Sequence, residues 1–200
     1  MKWTTKISDL VKEVELRKNP VIITVNKFDE KSAKEFQQQV AQAHNTGQNV
    51  IPIVIDSYGG QVYSLMSMIS AINHAELPVA TIVEGKAMSC GAILFSFGEQ
   101  GLRFMDPDAT VMIHDVSSMK HGKVEEIKAS TEEMERLNQK VYTMMARNCG
   151  KKDDYFLKLV HKKGHADWFL DATEAKRHGM ANQIRVPKFN INISVDIDFE

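Results

Sequence analysis

Val50-Ile-Pro-Ile-Val-Ile55 is a nearly continuous apolar run that passes directly into Asp56-Ser-Tyr-Gly-Gly60. Every residue of the run except Pro52 is β-branched, which favours a strand. Continuous rather than alternating hydrophobicity marks a strand covered on both faces, as in a parallel sheet. A helix follows at once, with Val62, Leu65, Ile69 and Ile72 on one face. Pro78-Val-Ala-Thr-Ile-Val83 is then a second apolar strand. Strand, helix and strand in this order predict an α/β fold with crossover helices.

Towards the N-terminus, Val21-Ile-Ile-Thr-Val25 reads as another strand. Residues 29–45 read as a helix that carries Ala33, Phe36, Val40 and Ala43 on its apolar face, with Asp29 as N-cap and Gly47 as a stop. Ile7, Leu10, Val11 and Val14 share a helical spacing, which predicts a helix from Ile7 to Leu16 ended by Asn19-Pro20. Towards the C-terminus, Gly85-Lys-Ala-Met-Ser-Cys-Gly91 frames a turn into a short apolar helix that ends near Gly98. Leu102–Met105 and Thr110–His114 read as strands joined by an Asp-Pro-Asp turn. A helix of about 25 residues is predicted after Gly122, with Ile127, Met134, Leu137, Val141 and Met144 at near-heptad offsets that suit an intersubunit or core face. A shorter helix spans Asp153 to Lys162, followed by a loop. In the tail, Phe189, Ile191, Ile193, Val195, Ile197 and Phe199 alternate with polar residues, a strand pattern that must bury one side on this chain or another. The division expected is one domain over 1–187 and a strand-like extension over 188–200.

Composition narrows the function. The 200 residues are 43% apolar and 26% charged, enough for a sizeable core. Twenty-five basic and 26 acidic side chains leave a formal net charge of -1, which gives no electrostatic case for nucleic acid or an anionic membrane. No run approaches the roughly 20 apolar residues of a membrane span, and no signal core opens the chain, so a cytoplasmic protein is expected. Cys90 and Cys149 are the only cysteines and lack metal-ligand spacing; neither a disulfide, a metal nor another cofactor is expected.

Three positions have the right surroundings for chemistry. Ser89 stands between a strand and a short helix, where a sharp turn lifts a hydroxyl clear of the sheet and a helix N-terminus aims N–H groups at developing negative charge. A helix N-cap serine would give the same pattern. His114 closes an apolar strand and could act as a general base, although a solvated histidine would look no different. Gly59-Gly60 permits inward-turned backbone N–H groups; with the N–H of Cys90 they could bind an oxyanion. Cys90 itself reads as a small buried side chain. With 26 carboxylates to choose from, the residues alone do not select a third partner.

Ile55-Asp-Ser-Tyr-Gly-Gly60, Gly85-Lys-Ala-Met-Ser-Cys-Gly-Ala92, Val111-Met-Ile-His114 and Asp167-Trp-Phe-Leu-Asp-Ala-Thr-Glu-Ala175 occur in order and in register. Together they resemble the proteolytic subunit of the caseinolytic protease (ClpP) family, and the departures below suit a divergent or phage-type member. The resemblance implies a crotonase-like α/β spiral with a protruding handle helix, and an ATP-dependent-type serine endopeptidase. It assigns Ser89 as nucleophile, His114 as general base and Asp167 as the orienting carboxylate. Gly60 and Cys90 become the oxyanion hole, and Gln61, Val62, Asp115, Val116 and Ser117 flank an extended substrate strand. A peptide or unfolded-protein substrate, a homo-oligomeric ring of one or two stacked heptamers and an AAA+ unfoldase partner are also implied. Three features depart from the family. The segment before the first expected helix is only about six residues, which counts against the unfoldase. Ala166 stands where the family often has an Arg used in ring–ring contacts, and the tail has no counterpart. A maturation protease that needs no unfoldase, a crotonase-type acyl-CoA enzyme and a non-catalytic assembly ring are the alternatives.

Overall fold

The computed structural model describes residues 2–7, 10–15, 19–117 and 121–188. Strands β1 (Lys2–Ile7) and β2 (Leu10–Glu15) are followed by β3 (Ile23–Val25), helix α1 (Glu30–Ala43), β4 (Ile51–Ser57), α2 (Val62–Asn73), β5 (Val79–Met88) and α3 (Cys90–Phe95). Next come β6 (Arg103–Met105), β7 (Thr110–Ile113), α4 (Val124–Asn148), α5 (Tyr155–Lys162), β8 (Trp168–Leu170), α6 (Ala172–Arg177) and β9 (Gln183–Ile184).

Strands β3, β4, β5, β6 and β9 lie side by side, every neighbouring pair parallel. The ten-residue β5 is the hub. Its first half pairs with β6 through Thr81–Val83, and its second half with β7 through Lys86–Met88. Between the halves the register against β4 slips: Ile55 faces Val83, yet Ser57 faces Ala87. This irregularity bends β5 at Glu84-Gly85-Lys86 and re-aims its end, as bulges do. The strands expected at Leu102–Met105 and Thr110–His114 therefore do not pair with one another; each pairs with a different half of β5.

The apolar positions chosen by periodicity form the core. Ile51, Ile53 and Ile55 are fully buried, and Leu65, Ile69 and Ile72 of α2 cover them together with Phe36 and Val40 of α1. Asp29 caps α1 with a reciprocal box: its Oδ1 accepts from the Ser32 N–H at 2.7 Å, and Ser32 Oγ accepts from the Asp29 N–H at 2.9 Å. The opposite face of β4 and β5 is covered more thinly, by Ala80, Ile82 and Phe104 with partly buried Val50, Val54 and Leu102. Helix α4 divides along its length. Leu137 and Val141 are buried, while Val124 and Ile127 are exposed, so only its second half serves the core of this chain.

Three readings of the sequence need correction or completion. The helix expected from Ile7 to Leu16 is the second half of an antiparallel hairpin, with Lys2 facing Glu15 and Ile7 facing Leu10. Thr4, Thr5, Ile7, Val11 and Val14 are β-branched, and cross-strand pairing outweighs a helical spacing that spans only about two turns. The first helix is therefore α1, preceded by a hairpin, and the argument against an unfoldase from a short N-terminal segment falls. The loop expected after α5 contains β8, which pairs antiparallel with β7. The alternating tail lies outside the described residues from 189 onward.

A buried cation locks the layers. Arg103 on β6 is 2% exposed. Its guanidinium donates to Gly98 O (3.1 Å), Asn148 O (2.9 Å), Gly179 O (3.1 Å) and Gln100 Oε1 (2.8 Å). It thus joins the ends of α3, α4 and α6, and burial lowers its pKa from the ordinary value. Arg103→Met would leave three of those carbonyls without a donor, at about 1 kcal/mol or more each. Urea unfolding should show a loss of about 3 kcal/mol; a change within the scatter of the fit would contradict the clamp.

Candidate active site

Ser89 is the junction between β5 and α3, and it sits at φ 55, ψ −119. A non-glycine residue in this region costs about 1–3 kcal/mol and persists only where features of its surroundings hold it there. Three do so here. The Ser89 N–H donates to Met112 O on β7 at 2.9 Å, and Ser89 O accepts from the Ala92 and Ile93 N–H groups of α3. The Gly59-Gly60 turn presses on the other side: a Cβ on Gly59 would lie 2.7 Å from Ser89 Cβ. The Ser89 side chain makes no capping bond to α3. Its Oγ meets His114 Nε2 instead, at 2.8 Å. Ser89 is thus the N-cap of α3 by position, with its side chain turned to His114 rather than to the helix.

His114 lies one residue past the end of β7, and Asp167 one residue before β8. In the β7–β8 ladder Ile113 faces Trp168, so the next step brings His114 and Asp167 opposite each other. His114 Nδ1 is 3.6 Å from Asp167 Oδ1, beyond hydrogen-bond length, and the Asp167 side chain is 54% exposed. Such separations are common before a substrate closes a site. The antiparallel pairing of β7 with β8 is what brings this carboxylate beside the histidine.

Gly60 and Cys90 face the same turn. Gly60 has φ 151 and lies against Phe28, whose carbonyl accepts from the Gln61 N–H at 2.8 Å. A Cβ on Gly60 would fall 2.4 Å from that oxygen, so only glycine fits. Among the described residues, the Gly60 and Cys90 N–H groups have no hydrogen-bond acceptor. Cys90 is not a rival nucleophile. Its thiol is buried against Gly60 O, and burial pushes its pKa up to about 11.

Of the flanking residues, Gln61 and Val62 start α2 and Asp115 to Ser117 follow His114. The Gln61 N–H is bonded to Phe28, and the Val116 N–H to Asn138 Oδ1 at 2.7 Å. Asp115 turns its carboxylate towards Tyr142 and His165. Sequence reading missed these three supports. Asn138 and Tyr142 lie on α4, where a polar tip on a buried helix face was the available signal. A narrow apolar cavity adjoins Ser89 and His114, walled by Val62, Leu65, Ile93, Ile113, Val116 and Val141. The other described histidines include His44 and His74, each bonded to a helix carbonyl, and His178, bonded to Tyr155. No group of three metal-binding side chains occurs among the described residues. No helix among them is long and apolar enough to cross a membrane.

A parallel α/β sheet whose hub strand ends in a strained serine against a histidine defines the class. The family model described as Clp protease matches residues 4–188, and the chain belongs to that family. Its fold is accordingly of the ClpP, crotonase-like type. The family is one of serine peptidases, whose members form oligomeric rings and act on peptides.

Two predictions follow from the packing. Gly59→Ala drives a methyl group into Ser89 and should lower hydrolase turnover about a hundredfold, with circular dichroism unchanged. Cys90 and Cys149 are both buried with thiols pushed up to about 11, so at pH 8 they are protonated. Iodoacetamide should modify neither in the folded protein and both in denaturant, as read by intact mass.

Proposed function

We propose that this chain is a serine endopeptidase that cleaves peptides and unfolded proteins by acyl transfer. The 2.8 Å contact of Ser89 Oγ with His114 Nε2, on a turn flanked by two uncommitted N–H groups, carries the reading. His114 accepts the hydroxyl proton as Oγ attacks the scissile carbonyl, and the Gly60 and Cys90 N–H groups stabilise the oxyanion that forms. Returning the proton to the leaving amine releases the first product. Water, activated by the same imidazole, then cleaves the acyl-enzyme. Asp167 holds Nδ1 protonated and steadies the imidazolium, and closure of the 3.6 Å gap accompanies substrate binding.

The substrate runs extended between the start of α2 and the segment after His114. Gln61 and Val116 already donate within the chain, so pairing uses the remaining main-chain groups of Val62, Asp115 and Ser117. The apolar walls beside Ser89 favour an apolar side chain on the acyl side of the cleaved bond. We place the domain at 1–187 in a heptameric or double-heptameric ring in the cytoplasm, with a AAA+ unfoldase as feeder. The exposed Val124–Ile127 end of α4 is suited to packing against another copy.

Fluorogenic peptides that vary only at the residue before the cleaved bond test the proposal. Leu or Met there should be cut at least about tenfold faster than Asp or Lys, because an unpaired charge is costly to bring into an apolar cavity. Ser89→Ala should fall to background, and Asp167→Asn should lose about a hundredfold or more in kcat. Full activity in Ser89→Ala would overturn the assignment.

A further inference from the structure

The segment after His114 and the segment leading into Asp167 are joined a second time, beyond the end of the β7–β8 ladder. Asp115 Oδ2 lies 2.5 Å from His165 Nδ1, and Asp115 Oδ1 accepts from the Tyr142 hydroxyl at 3.1 Å. A carboxylate only accepts, so Nδ1 of His165 carries the proton in this contact. Asp115 is the residue after His114, and His165 comes two residues before Asp167. Backbone pairing stops at Ile113 and Trp168. The Asp115–His165 contact is therefore the tie on the open side of the 3.6 Å gap between His114 and Asp167.

Both ends of the tie are anchored. Tyr142 is 1% exposed on α4, and burial, reinforced by the Asp115 charge, raises its pKa so that it remains a donor. His165 has φ 59 beside Gly164 at φ 71, a left-handed turn that swings its ring back to Asp115. The His161 ring packs on His165 with centroids 4.4 Å apart. On a half-exposed surface the contact adds little to stability. Its effect is geometric.

We propose that Asp115 and His165 are positioning residues: their contact, fixed to α4 by Tyr142, sets the distance between Asp167 and His114 and hence the aim of the imidazole at Ser89. The kinetic part of this inference rests on the peptidase reading above; the geometric part does not.

The test compares wild type, Asp115→Asn, His165→Ala, the double variant and His165→Asn in the full chain. Peptide hydrolysis should show kcat about tenfold lower in both single variants with KM within about twofold, as a small misplacement of a reacting group produces. The double variant should be no worse than either single one. His165→Asn keeps a donor near the place of Nδ1 and tolerates positive φ, so it should recover most of the loss. Isotope-edited NMR of the His114 ring nitrogens should shift in Asp115→Asn and His165→Ala and return in His165→Asn. If wild type hydrolyses no peptide, the peptidase reading fails, and the His114 signals still decide the positioning role. Unchanged His114 signals, or activity that falls only in step with thermal stability, would overturn it.

Discussion

Everything at this site depends on a serine held where serines rarely rest. Ser89 keeps φ 55 because the Met112 carbonyl takes its N–H and the Gly59-Gly60 turn leaves it no room to relax. The same grip lifts Oγ away from a capping position and into contact with His114. Released from either side, Ser89 would become an ordinary N-cap. The strain is thus a consequence of two strands and a glycine turn converging, and the reactivity proposed for Ser89 follows from it.

The larger architecture serves that convergence. The register slip between β4 and β5 turns the end of β5 towards β7, which brings Met112 to Ser89 and His114 beside it. Strand β8 then places Asp167 opposite His114. Helix α4 reaches back with Asn138 and Tyr142 to hold the segment between them. Arg103 ties the far ends of α3, α4 and α6 through neutral carbonyls, so that the helix supporting the site and the helix that Ser89 starts are held to one another. Its partners are carbonyl dipoles rather than carboxylates, an arrangement that keeps a buried charge hydrogen-bonded without a second charge to desolvate.

The parallel sheet, the crossover helices and the apolar positions of α1 and α2 were legible because 3.6-residue and continuous-run patterns report burial directly. Ser89 and His114 were legible as positions at strand ends, and Gly59-Gly60 as a turn. Asp167 was reachable only through family resemblance, since a carboxylate's partner is set by a three-residue antiparallel strand that no local pattern announces. The same reason hid β8 itself and the Asp115–His165 contact, whose members are 50 residues apart. At the N-terminus the reading went wrong because four apolar residues satisfied a helical spacing while three of them, Ile7, Val11 and Val14, are β-branched and favour a ladder; only the cross-strand register decides between the two.

The central claim is that the strained turn makes Ser89 a nucleophile. Intact mass and peptide mapping after exposure to a fluorophosphonate, with a Ser89→Ala control, test it most directly. The account predicts one adduct per chain, located on Ser89 and absent from the control. An unmodified chain, or an adduct that persists in Ser89→Ala, would contradict it.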